Sequence, residues 1–224
     1  SAALFPALLV FIFAFIALGI LLPTMHQSSL GTMMLIAGYK LSPLWRTAFL
    51  PLLFLLTAIT MGYAIVIFET TVAGMAFRLP NETHLLGRIS RVMVWLLGFY
   101  LLIRFEDVNL RGELDLAFSG NLYGNLFLLE NAFFLIALLI LAFPRNRLKP
   151  RLLFSAALAM LLGGSLYRFN TYITGFDSGL GWSYFPSVGE LMITLGIVAV
   201  EILGYIWLVK RTPVLPSRAH VKHV

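Results

Sequence analysis

Leu22-Pro23-Thr24-Met25-His26-Gln27-Ser28-Ser29-Leu30-Gly31 directly follows an apolar run over residues 4–22, and that junction decides how the chain is read. The run is long enough to be a membrane helix, since a bilayer core of about 30 Å takes about 20 apolar residues. The stretch after it holds an ionisable ring, an amide and two hydroxyls. Polar groups at that depth are costly unless paired, so they have a partner or a task. Two readings follow. One is a helix end kinked at Pro23, with the serines satisfying freed backbone groups. The other is a ligand or proton site. His26 alone adjoins a membrane-type segment, for His84, His220 and His223 fall in a loop and the tail.

Working outward, the composition agrees. The 224 residues are 60% hydrophobic and 12% charged, with mean hydropathy +0.92. A soluble domain carries about 25% charged residues. An all-α, polytopic transmembrane helix bundle is expected. Six segments span, over 4–22, 46–75, 90–104, 122–143, 152–173 and 188–209. The third is short, and Arg88 and Arg91 can snorkel to lengthen it. No strand alternation, repeat or low-complexity tract interrupts them. Residues 1–212 are read as the transmembrane domain and 213–224 as a basic tail.

The net charge of +6 sits mostly in loops and the tail. Topology accounts for it better than nucleic acid does, and lipid is the expected contact. One set of alternate loops with the tail holds eleven basic residues, Arg78, Arg88, Arg91, Arg145, Arg147, Lys149, Arg151, Lys210, Arg211, Arg218 and Lys222. The other holds four, Lys40, Arg46, Arg104 and Arg111. The positive-inside rule puts the first set and the C-terminus in the cytoplasm. The loops around 38–45, 105–120 and 175–187 then face outward. They carry Glu106, Asp107, Glu113, Asp115 and Asp177 and could dock another subunit. Trp45 and Trp182 are expected in an outer aromatic belt.

With depths assigned, the ionisable groups form a staircase. His26, Arg104, Arg168 and Glu190 lie toward the outer side. Glu130 lies near the middle of its span. Glu69 and Glu201 lie toward the cytoplasm. A buried Arg168 needs a carboxylate, with Glu190 or Glu130 as candidates. Glu190 has a plainer reading too, as a first-turn carboxylate favoured by the helix dipole. The functional reading of the staircase is a proton path or a quinone headgroup site, set against helix–helix glue. No basic n-region precedes the first run, so no signal peptide is expected. Zero cysteines exclude disulfides, thiolate zinc and an iron–sulfur cluster held by this chain. With one intramembrane histidine, bis-histidine haem is not expected. No Walker loop, GxGxxG turn or HExxH motif appears. No metal site is expected.

The run from Leu22 to Gly31, then Ala37-Gly38-Tyr39-Lys40 and Pro43-Leu44-Trp45, resembles the NrfD/PsrC (polysulfide reductase membrane subunit) superfamily, in its hydrogenase-linked branch. The likeness continues through Met61-Gly62, Ile65-Val66-Ile67-Phe68-Glu69, Arg104-Phe105, Leu116-Ala117-Phe118-Ser119-Gly120 and Tyr123. It ends with Tyr184-Phe185-Pro186-Ser187, Glu190-Leu191, Val198-Ala199 and Glu201-Ile202. The resemblance implies a haem-free membrane anchor of a bacterial inner-membrane complex of anaerobic respiration. Such a subunit receives electrons from an outer-facing, ferredoxin-like iron–sulfur protein. A catalytic pair, here a nickel–iron hydrogenase, feeds that protein. Menaquinone or ubiquinone is reduced, with protons taken up through the membrane domain. Family members carry about four further spans ahead of this segment, so the chain resembles the C-terminal portion of a full subunit and is non-catalytic alone.

Carried onto matching positions, His26, Gln27, Ser28, Arg104, Arg168, Tyr184 and Glu190 are the expected quinone-binding or proton-relay residues. Glu69, Glu130 and Glu201 are the expected proton path. His26 would hydrogen-bond a quinone carbonyl or pass it a proton. Arg168 would hold a carboxylate's charge or stabilise a semiquinone anion. The alternative is a proton-coupled secondary transporter or channel domain. Such proteins show internal repeats and paired broken helices. Here one broken-helix candidate, at Pro23, and no repeat is found.

Overall fold

A computed structural model describes residues 4–77, 82–179, 181 and 184–212. Arg78, Trp182 and the tail at 213–224 lie outside the described residues. The chain divides into two units, 1–182 and 183–224.

The first unit is built from α1 (Leu4–Ile36), α2 (Leu50–Phe77), α3 (Thr83–Leu110), the single turn α4 (Leu114–Ala117), α5 (Leu122–Ala142) and α6 (Pro150–Phe169). A π-helical turn, Asn170–Thr174, extends α6. Among the described residues, six helices are long and apolar enough to cross a membrane, five of them in this unit. In lipid every backbone group must be satisfied within the segment, which is why these runs are helical.

Helices α2, α3, α5 and α6 close a ring in which each packs on the next, and α1 lies against α2. Small residues set the approach. A Cβ on Gly31 of α1 would sit 2.7 Å from the Pro51 Cα of α2. A Cβ on Gly163 of α6 would sit 3.0 Å from the Phe134 ring of α5. Interfaces of this kind need small side chains, because lipid gives no hydrophobic drive for helix association.

Three expectations change. First, α1 does not end at Pro23 but continues to Ile36. Pro23 offers no N–H to the preceding turn. The neighbouring Thr24 hydroxyl reaches the Ile20 and Leu21 carbonyls, both at 2.9 Å, one turn back. The broken-helix candidate for a transporter is therefore a continuous helix. Second, the third span is not short. It occupies Thr83–Leu110 and takes in Arg88, Arg91, Glu106 and Asp107. Asp107 pairs with Arg111 one turn on, at 2.7 Å. Third, Trp45 is not in an exposed belt. It is fully buried.

Trp45 is carried inward by a braced cap. The 37–49 segment bridges to residues 175–177 through a Leu41–Phe176 pair. Ser42 N–H donates to the Gly175 carbonyl at 2.7 Å, and Asp177 N–H to the Lys40 carbonyl at 2.8 Å. Arg111 donates to the Pro43 carbonyl.

The second unit is read by itself. Its helix α7 (Val188–Arg211) opens on a capping box. Ser187 Oγ accepts from the Glu190 N–H, and the Glu190 carboxylate accepts from the Ser187 N–H at 2.7 Å. Two orphan donors of the helix start are satisfied reciprocally.

Candidate functional site

The ring of four helices encloses an ion pair. Arg104 of α3 and Glu130 of α5 approach to 3.4 Å, and both side chains are fully buried. Two charges out of water need further donors and acceptors to hold them. Glu130 has them. Trp45 Nε1 donates to its two oxygens at 3.1 and 3.2 Å, and Asn170 Nδ2 donates at 2.6 Å. The Arg104 guanidinium lies against two ring faces, with centroids 4.9 Å away for Phe127 and 5.3 Å for Tyr167. Every side chain that hydrogen-bonds Glu130 is a donor, a setting that suits an ionised carboxylate.

Arg168, near the end of α6, is in a different state. It is half-buried, and of its two candidate partners Glu130 is taken by Arg104, while Glu190 belongs to the second unit. Arg168 Nη2 donates to Gln27 Oε1 of α1 at 3.0 Å. Its Nη1 faces Thr57 Oγ1 at 3.4 Å, Met61 Sδ at 3.5 Å and the Gly164 carbonyl at 3.2 Å. The guanidinium stacks over Phe54, 5.3 Å from the centroid. All its hydrogen-bond partners are neutral. Within the first unit, Arg168 makes no ion pair among the described residues.

Of the other expected residues, His26 is exposed on α1 beside the half-buried Gln27 and Ser28. Glu69 on α2 is exposed and has no hydrogen-bond partner among the described residues. In the second unit Tyr184 donates to Glu190 Oε2 at 2.9 Å, and Glu201 is exposed on α7. So Gln27 and Arg168 are brought together, and Arg104 and Glu130 are. Among the described residues no group of three or more His, Asp or Glu side chains could hold a metal.

Asn170, Tyr100 and Tyr167 were not singled out from sequence, and Trp45 only as a belt residue. A signal exists on α3, where Tyr100, Arg104, Asp107 and Arg111 follow helical spacing and so share one face. Polar side chains along the buried stripe of an apolar helix mark a shared interior.

Comparison with known proteins bears directly on this bundle. Residues 8–177, which include both arginine clusters, match the polysulphide reductase NrfD family. The chain belongs to that family. It is a multi-pass integral membrane protein. It is 42% identical over 214 residues to the "Probable Ni/Fe-hydrogenase 2 b-type cytochrome subunit" of Escherichia coli K12, covering 94% of this chain and 55% of that one. It is 31% identical over 207 residues to a protein of Nitratidesulfovibrio vulgaris Hildenborough, covering 88% of this chain and 53% of that one. The chain thus spans about half the length of the curated relatives it matches. No solved structure matches it.

Proposed function

We propose that this chain is the quinone-reactive part of a membrane subunit in a respiratory redox complex of the bacterial inner membrane, with its C-terminus cytoplasmic. Electrons arrive from an outer-facing, ferredoxin-like iron–sulfur protein fed by a nickel–iron hydrogenase. Two electrons and two protons convert menaquinone or ubiquinone to the quinol. The name of the Escherichia coli relative supports the hydrogenase as donor.

The observation that carries this reading is Arg168, which has no ion pair among the described residues of the first unit and is held by Gln27, Thr57 and the Gly164 carbonyl. Charge inside a membrane span is costly, and a cation left unneutralised there is set to meet charge that develops during a reaction. Reducing a quinone places negative charge on its oxygens until protons arrive. Arg168 is the fixed cation for that moment. Gln27 orients its fork, and Ser28 lies on the same turn. His26, exposed beside Gln27, is the hydrogen-bond donor reached from the lipid side. Glu69 and Glu201 are assigned to the proton path, as exposed carboxylates within spans. Tyr184 and Glu190 are assigned to hold the start of α7. Glu130, met by donors, is assigned as the fixed counter-ion of Arg104.

The name of the Escherichia coli relative carries a b-type cytochrome. Two axial histidines would be needed for such a haem. The described histidines are His26 and His84. His26 lies near the Gly31–Pro51 contact, at the start of α2, and His84 opens α3, just past the far end of α2. The length of α2 separates them, and they do not fit one haem.

The test is Arg168→Met in the intact complex. Hydrogen-dependent quinone reduction falls by on the order of a hundredfold, the effect of losing one preorganised charge-stabilising group. Hydrogen-dependent dye reduction by the catalytic subunits stays unchanged. An assembled variant that reduces quinone at the wild-type rate rules the reading out.

A further inference from the structure

Near the two arginines lies a group of phenols whose hydroxyls neither cluster uses. Tyr100 of α3 and Tyr167 of α6 are fully buried, their rings 5.9 Å apart. Tyr167 also faces the Arg104 guanidinium. On the other side Phe54 contacts Tyr167 at 5.2 Å and Tyr172 at 5.7 Å, and Arg168 stacks on that same Phe54. Tyr172 belongs to the π-helical turn. Arg104 and Tyr100 thus meet at Tyr167, and Tyr167, Tyr172 and Arg168 meet around Phe54.

The hydroxyls of Tyr100, Tyr167 and Tyr172, with Nε and Nη1 of Arg104, are buried and have no hydrogen-bond partner among the described residues. Three hydroxyls and two guanidinium nitrogens in one core are too many to leave unpaired. Each costs on the order of 1–3 kcal/mol when buried without a partner. Buried polar groups are satisfied by protein or by ordered water, and a water needs two to four polar partners, which this cluster supplies. The hydroxyls give and accept, and the guanidinium only gives. A small hydroxylic ligand that also gives and accepts fits this set, and an anion would leave the hydroxyls' acceptor sites unfilled.

We propose that Tyr100, Tyr167 and Tyr172 hold bound water between Arg104 and Arg168 and form the route by which a proton reaches the Arg168–Gln27 site. Each phenol gives its proton toward Arg168 as it takes one from water on the Arg104 side, and that water is reprotonated in turn, so that one proton enters from the aqueous phase for each one delivered. No phenolate is left, and one proton is delivered per pass. The last step, delivery to reduced quinone, rests on the quinone reading above. The water site does not.

Tyr100→Phe and Tyr167→Phe in the intact complex test both parts. If the hydroxyls hold water, each substitution lowers the thermal midpoint of the membrane subunit, because the water loses a partner. If they face nothing, removing a buried unpaired hydroxyl leaves the midpoint unchanged or raises it, which overturns the water site. For the route, Tyr167→Phe slows quinone reduction at saturating quinone by roughly tenfold or more, leaves the KM for quinone unchanged, and raises the solvent deuterium isotope effect. Unchanged rate and isotope effect in both variants overturn the route. Arg168→Met is run alongside. If it abolishes quinone reduction while the phenylalanine variants retain it, the quinone reading stands and the phenol route falls. If Arg168→Met has no effect, the quinone reading falls and the thermal midpoints alone decide the water site.

Discussion

The indole of Trp45 donates to both oxygens of the Glu130 carboxylate, at 3.1 and 3.2 Å. A residue of the connecting segment after α1 thus closes the interior of a helix bundle. The cap between α1 and α2 and the buried ion pair are one structure. Trp45→Phe keeps the packing on Phe127 and removes the donor. It should destabilise the subunit by about 2 kcal/mol, as for a lost hydrogen bond to a charged group. The check is detergent-resistant thermal unfolding, together with proteolysis of the 37–49 segment, which should quicken. Unchanged proteolysis would show that the backbone bridge to residues 175–177 holds the cap by itself.

Glu130→Gln is isosteric yet should be worse. The new amide nitrogen takes the place of one oxygen, turns its N–H protons toward either Asn170 Nδ2 or Arg104 Nη2, each a donor, and leaves the buried guanidinium uncompensated. Breaking a buried pair from one side costs about 3–5 kcal/mol. Replacing both partners with apolar residues, Arg104→Met with Glu130→Leu, should recover part of that loss. Recovery stays incomplete because Trp45 Nε1 and Asn170 Nδ2 are left without an acceptor. A double variant less stable than either single one would contradict this account of the pair.

The spans and the unusual charges in them were legible in the sequence, because hydropathy and rare intramembrane residues need no partner to be seen. The pairing was not. Arg168 and Arg104 are both arginines in spans, and depth alone left Glu130 open to either. Helix rotation decides it, turning Arg104 toward Glu130 and Arg168 toward Gln27. Apolar helices in lipid carry little amphipathic signal to fix that rotation, since both faces are hydrophobic. Trp45 looked like an interfacial belt residue because the fold of its segment is set by distant residues 175–177. The extra length of α3 was hidden by Glu106 and Asp107, charges that end an apolar run without ending a helix.

In the second unit, the Glu190 carboxylate accepting the Tyr184 hydroxyl holds that phenol above its ordinary value of about 10. A raised folded-state value means the contact contributes below about pH 10 and is lost as pH climbs through the folded value. Tyrosinate absorbance, taken as the difference between the protein and Tyr184→Phe, should show this phenol ionising late. Ser187→Ala removes the N-cap, at a cost of about 1 kcal/mol to the start of α7. A Tyr184 difference titration centred on the ordinary value would show that the hydroxyl–carboxylate contact is not held in solution.

Gly31 and Gln27 lie one turn apart on the same face of α1. A Cβ at Gly31 would meet Pro51 Cα at 2.7 Å and the Leu50 carbonyl at 2.8 Å, both backbone atoms that cannot rotate away. In Gly31→Ala, α1 must therefore move off α2 and carry Gln27 from Arg168. The expected destabilisation is about 1–3 kcal/mol, the range for overpacking a close contact. Gly62→Ala is the matched control, because a Cβ there meets nothing within 4 Å. Removing a helix-interior glycine should stabilise it by about 0.5–1 kcal/mol. Function should follow geometry. Gly31→Ala should slow quinone reduction as Gln27→Ala does, with hydrogen-dependent dye reduction intact, and Gly62→Ala should do neither. Equal behaviour of the two alanine variants would mean that α1 is free to shift on α2, and that the Gln27–Arg168 hydrogen bond does not depend on their close crossing.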